Sequence, residues 1–318
     1  MFNGGFHHRG YAILMTFRSG FVAFTGRPNA GKSTLMNAIV GQKVAITSDR
    51  PQTTRRIIRG IVTRPDGQLI VVDTPGMHRP RTLLGERLND QVREAWSSVD
   101  LVGLCLPADQ EIGPGDLFIA TQVRAASKAP LIAIVTKVDA VSRDALAGVL
   151  LAVQNFGEEN HLDFAHIFPV AARGGFQVDR LTEELIALLP EGPHLYPDDA
   201  TGDEVIDITV AELIREAALE GVTDELPHSI AVVVEEIVPR EDRPADKPLT
   251  DVRATVFVER DSQKGIIIGK GGARLRQVGA QARPEIERLL GVPVFLDLHV
   301  TVAKDWQRDP KQLRRLGF

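Results

Sequence analysis

The stretch GRPNAGKST, residues 26–34, lies between the apolar run GFVAFT, residues 20–25, and a helix-patterned segment that opens at Gly31. Strand, glycine-rich loop and helix in that order are the setting that G-x-x-x-x-G-K-[ST] requires, and they decide the first half of the fold. The loop of Gly26, Arg27, Pro28, Asn29, Ala30 and Gly31 turns backbone N–H groups toward a bound anion, backed by the positive end of the helix dipole. Lys32 reaches the β- and γ-phosphates of a nucleotide, Ser33 offers its hydroxyl to Mg2+, and Thr34 continues the same turn.

Outward from this loop, short β-rich runs alternate with helical patterns as far as residue 190. QLIVVD is followed by a helix over 83–96, and DLVGLCL, LIAIVT and HIFPVA are each followed by another helix. Such alternation predicts a parallel sheet wrapped by helices. One pair departs from it: IIRGIVT and QLIVVD are joined by RPDG, a turn sequence, so one edge strand is expected to run antiparallel. The expected first domain is therefore an α/β P-loop NTPase domain with a mostly parallel six-stranded sheet and one antiparallel edge strand.

Residues 190–204, PEGPHLYPDDATGDE, are rich in Pro, Gly and acids and lack apolar periodicity, which marks a linker. A smaller α+β domain follows: a helix over 208–219, strands over 229–238 and 252–259, a glycine loop, a helix, a second helix over 283–290 and a strand over 294–302. The expected division is an N-terminal extension at 1–18, the nucleotide domain at 19–190, a linker at 191–206, and the second domain with its tail at 207–318.

Bulk properties agree with two soluble-type domains. At 318 residues, with 43% hydrophobic and 25% charged, the chain is long enough to bury two cores. No apolar run approaches the roughly 20 residues that span a bilayer. The start, MFNGGFHHRGYAILM, has too short an apolar stretch for a signal peptide, which needs about 7 to 15 residues. A cytoplasmic protein is expected, with Met15 as its biological start. The single cysteine, Cys105, sits in an apolar run and is expected to be a buried thiol. The net charge of −5 gives no global sign of nucleic-acid binding, so any such face must be local.

The phosphate loop does not choose between ATP and GTP. TKVD, formed by Thr136, Lys137, Val138 and Asp139, follows LIAIV at the carboxyl edge of the sheet, where ligands of such folds bind. An aspartate there accepts from the N1–H and 2-amino groups of guanine, and the Lys137 stem lies along the ring. Adenine lacks both donors and would leave a buried carboxylate unpaired, a penalty of about 1–3 kcal/mol. DTPG, Asp73, Thr74, Pro75 and Gly76, ends QLIVVD at the same edge. Asp73 can hold Mg2+ through water, and the Gly76 N–H can meet the γ-phosphate. RPQTTR, residues 50–55, is a polar loop whose threonines can complete the Mg2+ shell while the γ-phosphate is present and release it afterwards.

GRPNAGKS, PQTTR, DTPG and TKVD in this order resemble the translation-factor-like GTPases, and PQTTR resembles the signature of one family, the Era GTPases. The second half resembles the type II KH domain and tail of that family in VFVERDSQKGIIIGKGGARLRQVG, GVPVFLDLHVTV and DWQRDPKQLRRLGF. The resemblance implies a switch protein that binds and hydrolyses GTP, binds the 3′ end of small-subunit ribosomal RNA, and assists assembly and maturation of that subunit. It implies Lys32, Thr54, Asp73 and Gly76 as catalytic groups and Ser33, Thr54 and Asp73 as Mg2+ ligands. Ala171 and Ala172 of VAAR would supply backbone donors near the guanine oxygen, and Asn29 would help to hold a potassium ion. Thr136 replaces the family's usual asparagine and Ala171 its usual serine, departures that soften the guanine pocket. Met77 stands where other small GTPases carry a water-orienting glutamine, so slow intrinsic hydrolysis is expected.

GKGG, residues 269–272, is a second glycine loop. With 28 glycines in the chain a bare G-x-x-G is expected by chance about twice, and its weight comes from its setting. Lys264, Lys270, Arg274 and Arg276 form a basic flank, Gly269, Gly271 and Gly272 let an RNA backbone approach, and Ile266, Ile267 and Ile268 are expected to line an apolar groove beneath the bases. The loop lacks the lysine-then-hydroxyl ending needed for a triphosphate. Two other readings stay open: an RNA-binding adaptor that holds GTP with negligible turnover, and a related GTPase acting on another RNA. The basic tail KQLRRLGF reads as a solvated helix end, with peripheral membrane association as a weaker expectation, and monomer is the default state.

Overall fold

The computed structural model describes residues 16–47, 54–77, 80–203, 205–222, 226–241, 243–244 and 246–318. Met15 and the first four residues of RPQTTR lie outside the described residues.

The first half is one sheet covered on both faces. Strands β1 (Arg18–Thr25), β2 (Ile58–Arg64), β3 (Gly67–Asp73), β4 (Leu101–Pro107), β5 (Leu131–Thr136) and β6 (Phe164–Pro169) lie in the order β2-β3-β1-β4-β5-β6. All neighbours are parallel except β2 and β3, whose Arg64↔Gly67 register leaves a two-residue turn at Pro65 and Asp66. The antiparallel strand is at the sheet edge, as its RPDG turn predicts. Every residue of β3, β4 and β5 is buried, which explains why these strands read as unbroken apolar runs instead of alternating ones. Helices α1 (Lys32–Val40) and α5 (Val178–Leu188) cover one face. Helices α2 (Leu83–Ser97), α3 (Pro114–Ala126) and α4 (Arg143–Glu159) cover the other, around Trp96, Val102, Leu104 and Val135. Cys105 is fully buried in β4, and burial pushes its thiol up to about 12.

The residues at 17–18 and 191–202 belong to this body, contrary to their expected places in an extension and a linker. β1 begins at Arg18, whose guanidinium donates to the Leu189 carbonyl, and the Phe17 ring stacks on His194 at 3.9 Å. Gln68 is fully buried and reads the passing chain through its side chain: its amide oxygen accepts from Leu195 N and Tyr196 N, and its amide nitrogen donates to Tyr196 O. Thr201 O then accepts from Ile61 N on the edge strand. These are polar and main-chain bonds, so no apolar period marks them in the sequence.

The second half stacks helices on a three-stranded sheet. Its elements are α6 (Ile206–Leu219), α7 (Leu226–Ser229), β7 (Ala231–Pro239), β8 (Thr250–Val258), α8 (Asp261–Ile268), α9 (Ala273–Leu290) and β9 (Val294–Val302). The order is β7-β8-β9, antiparallel then parallel. One expectation changes. Helix α8 precedes the glycine loop and is started by Gln263, whose side chain accepts from the backbone N–H groups of Glu259 and Arg260. The two helices expected after the loop are one, running through Pro284. Val278, Ala282 and Ile286 repeat at four-residue spacing on one buried face, and that packing offsets the bond proline cannot donate.

The tail is the largest departure. Trp306, Leu313 and Leu316 are buried with Leu84 and Leu88 of α2 and Ala231 and Phe257 of the second sheet, and Pro310–Arg315 forms α10. Arg87 donates to Phe318 O, and Arg56 donates to Leu316 O. The tail joins the two halves and is not a solvated helix end. Among the described residues, no helix is long and apolar enough to cross a membrane.

Candidate functional site

Three strand ends and one loop converge at the carboxyl edge of the larger sheet. The loop after β1 needs glycine where its backbone is left-handed or closely approached. Gly31 caps α1 at φ 87°, and a Cβ on Gly26, at φ 149°, would lie 2.6 Å from the Cys105 carbonyl oxygen. Asn29 also takes positive φ, 63°. Arg27 fastens the loop from outside: its Nε donates to Asp116 Oδ1 at 2.8 Å and its guanidinium to Glu111 O. Asp116 is fully buried at the start of α3, so this pair is partly shielded from solvent. Sequence reasoning assigned Arg27 to the loop but missed Asp116 and Glu111, which carry no motif.

At the phosphate end, Lys32 extends along the loop and donates to the carbonyls of Gly26 and Arg27. Ser33 Oγ donates to Asp73 Oδ2 at 2.6 Å, and Thr54 Oγ1 donates to the same oxygen at 3.2 Å. The two hydroxyl oxygens are also 3.2 Å apart. Three residues from three elements thus meet at one point. Burial pushes the Asp73 carboxyl above the usual carboxylate range, against the pull of Lys32 and of hydrogen bonds from Ser33, Thr54 and the Thr74 backbone. Among the described residues, the buried Oδ1 of Asp73 has no hydrogen-bond partner. One carboxylate and two hydroxyls are hard oxygen donors that suit Mg2+ shared with phosphate oxygens, so the residues present fit that ion.

At the other end, Thr136 Oγ1 donates to Ala30 O at 2.7 Å, stitching the end of β5 to the phosphate loop. The threonine that replaces asparagine therefore still ties strand to loop. Lys137, at φ 55°, pairs with Asp109 at 3.2 Å. Asp139 is exposed in a short 3-10 turn beside it. A single cavity of about 450 Å3 runs from Lys32, Ser33 and Thr54 to Lys137, Asp139 and Ala172. Its walls include Pro28, Asn29, Gly31, Thr34, Gly76 and Thr136 from the expected set, together with Ile46, Thr47, Asp109 and Arg173.

Some expected groups lie behind the wall. Thr74 is buried and donates to Phe24 O. Met77, Val138 and Ala171 are buried in the core under the sheet, so their side chains face away from the cavity, although their backbones border it in sequence. Met77 in particular presents no side chain to an attacking water.

The second glycine loop caps α8. Gly269, Gly271 and Gly272 have φ 71°, 58° and 76°, so three of its four residues use backbone that favours glycine. Lys270 and Gly271 are exposed. Arg276 donates to Gly271 O at 2.9 Å and braces the loop, and Arg274 donates to Glu220 O, tying the start of α9 to the end of α6. Lys264 is half-buried on α8. The isoleucines do not act together. Ile266 is 55% exposed, Ile267 is fully buried in the core and Ile268 packs against it, because helical turns of α8 divide what the expected groove treated as one face.

Residues 21–137 match a family model described as 50S ribosome-binding GTPase, and residues 225–307 match the KH domain model. The chain is 65% identical over 301 residues to the GTPase Era of Streptomyces coelicolor, covering 95% of each protein. It is 62% identical over 306 residues to that of Mycolicibacterium smegmatis, covering 96% of this chain and 100% of the relative. A crystal structure of Era in complex with MgGDPNP and nucleotides 1506-1542 of 16S ribosomal RNA superposes with TM-score 0.89 at 33% identity, covering 95% of this chain and 99% of that one. A variant of Aquifex aeolicus Era bound to GDP.AlF4- gives TM-score 0.88 at 33% identity, covering 94% of this chain and 99% of that one.

Proposed function

The chain belongs to the Era family of GTPases, and from that premise we propose that it binds and hydrolyses GTP, holds the 3′ end of small-subunit ribosomal RNA on its KH domain, and assists maturation of that subunit. The observation that carries the reading is the meeting of Ser33, Thr54 and Asp73 at one end of a cavity whose other end is Thr136, Lys137 and Asp139. The G-domain model described as 50S ribosome-binding spans only residues 21–137, whereas the likeness to the GTPase Era of Mycolicibacterium smegmatis covers 96% of this chain, including residues that match the KH domain model.

In this reading the Asp139 carboxylate accepts from the N1–H and 2-amino groups of guanine, and Ala172 adds a backbone donor near its oxygen. The loop of residues 26–31 lays its N–H groups on the phosphates. Lys32 leaves the carbonyls of Gly26 and Arg27 for the β- and γ-phosphate oxygens, where its charge opposes the negative charge that builds on them during transfer. Ser33, Thr54 and Asp73 would hold Mg2+, which when bound would neutralise phosphate charge. The Gly76 N–H meets the γ-phosphate. With Met77 turned into the core, its side chain does not orient water. Intrinsic turnover is therefore slow; Asn29, on the cavity wall, would hold a potassium ion that could supply the missing stabilisation, as could bound RNA. The protein acts as a monomer in the cytoplasm. The tail on which membrane attachment rested is instead packed against α2.

GTP turnover measured with Mg2+ in potassium and in sodium buffer, with and without an oligonucleotide of the RNA 3′ end, tests this. Turnover that rises with potassium and with RNA is expected. GTP bound without turnover under every condition would turn the assignment toward a static RNA-binding adaptor.

A further inference from the structure

Arg55 follows the Mg2+-binding Thr54 and is only 1% exposed, among the largest fully buried side chains described. It is buried in the other domain. Its guanidinium donates to Ile230 O at 2.7 Å and lies 5.8 Å from the centroid of the Trp306 ring. Glu212 and Glu259 oppose its charge, while burial and then Arg215 hold it below the ordinary arginine value. Such a charge is costly to bury and is ordinarily retained only where it is paired.

The contacts continue past Ile230. Trp306 Nε1 donates to Ser229 O at 3.0 Å, and Gln263 Nε2 donates to Ser229 Oγ at 3.1 Å. Gln263 starts α8, the helix whose far end is capped by Gly269 of the GKGG loop. The Cα atoms of Thr54 and Arg55 are about 3.8 Å apart across one peptide bond, so Thr54 cannot move far from Ser33 and Asp73 without drawing Arg55 against its socket. The nucleotide end and the start of α8 are thus joined by a short run of hydrogen bonds that passes through the Ser229–Ile230 backbone.

We infer that Arg55 is a positioning residue that couples the two sites: seated in its socket of Ile230 and Trp306, it sets Thr54 for Mg2+ and GTP and, through Ser229 and Gln263, sets α8 and the GKGG loop for RNA. Coupling of this kind is reciprocal, so GTP favours RNA binding by the same factor by which RNA favours GTP, with factors of about 5 to 150 usual. The inference rests on the proposed GTP and RNA reading.

The test compares RNA affinity in the GDP form and in a form holding a non-hydrolysable GTP analogue, using the RNA 3′-end oligonucleotide, for the wild type, Arg55→Met and Gln263→Leu. The expected wild-type ratio is about fivefold or more, falling below twofold in both variants. In Arg55→Met, kcat falls about tenfold or more while KM for GTP stays within twofold, a split that merely loosened structure would not produce. Should Arg55→Met fail to fold, Gln263→Leu, which touches neither Thr54 nor the nucleotide cavity, decides alone. A wild-type ratio kept in folded variants overturns the inference. A wild type that binds RNA equally in both forms also overturns it and leaves the RNA reading standing, whereas a wild type that binds no RNA overturns that reading as well.

Discussion

Ser33 Oγ donates to Asp73 Oδ2 at 2.6 Å, and this bond ties the first turn of α1 to the end of β3 while the other oxygen of the same buried carboxylate has no partner among the described residues. A carboxylate held this way favours a cation and disfavours its absence. Asp73→Asn keeps an acceptor for Ser33 and Thr54 but removes the desolvated charge. Its unfolding temperature without Mg2+ and nucleotide should rise by about 3–6 °C, the equivalent of roughly 1–2 kcal/mol for a domain of this size. Mg2+-dependent GTP turnover should fall about a hundredfold or more. Calorimetry of the metal-free protein, set beside a phosphate-release assay, checks both, and an unchanged or lower unfolding temperature would contradict the account.

The Thr136 hydroxyl and the Ala30 carbonyl are buried together, so removing the donor leaves an acceptor unpaired. Thr136→Val should weaken GDP binding about tenfold, equivalent to roughly 1.4 kcal/mol. Thr136→Asn can still reach the loop and should lose less than threefold. Titration of a fluorescent guanine nucleotide separates the two variants. Equal losses would mean that volume, not the hydrogen bond, matters here.

Trp306 is fully buried between the second sheet and α2, with its N–H on Ser229 O. Trp306→Ala should destabilise by about 3–5 kcal/mol. Trp306→Phe, which keeps most of the ring and loses the donor, should cost about 1–2 kcal/mol. Urea unfolding followed by far-UV circular dichroism gives both values. An effect below 0.5 kcal/mol for the alanine variant, in the units of that unfolding measurement, would show that the tail does not pack as described.

The thiol of Cys105 is pushed up to about 12 by burial, with Lys32 pulling the other way and Asp73 adding to the rise. At pH 8 it stays protonated and out of reach, so iodoacetamide should modify it at least about a hundred times more slowly than the unfolded chain. The sign for stability follows from the raised value. Folding favours the protonated thiol, so its contribution is present below the unfolded thiol value of about 8.5 and is lost as pH climbs toward 12. Mass spectrometry of native and denatured protein after timed alkylation tests the reactivity.

Gly271 has φ 58°, and a Cβ placed on it would meet no heavy atom within 4 Å. Gly271→Asp therefore strains only its own backbone, by about 1 kcal/mol, while setting a negative charge where RNA phosphates would pass. Affinity for the RNA 3′-end oligonucleotide should drop about tenfold or more, and the unfolding temperature should move by less than about 4 °C. Undiminished RNA binding would remove the GKGG loop from the RNA face.

The sequence alone determined the nucleotide end because its chemistry is written in contiguous motifs. GRPNAGKS, DTPG and TKVD each follow an apolar run that becomes a strand, so their shared edge of the sheet is legible before any coordinates. The RPDG turn likewise announced the antiparallel pair of the six-stranded sheet. What stayed hidden depends on residues far apart in the chain. Arg55 looked like one more charge in a polar loop, the tail like a solvated basic end, and residues 191–202 like a tether, because the partners of each are main-chain carbonyls, a buried Gln68, or helix α2 hundreds of residues away in sequence or on another element. The division of the isoleucines after Gln263 is similar in kind: their order is local, but only the packing of α8 on its sheet chooses which of them faces inward. Local motifs specify what a loop can hold, and tertiary packing decides what that loop is attached to, because burial of a charge or an indole needs walls that no single stretch of chain supplies.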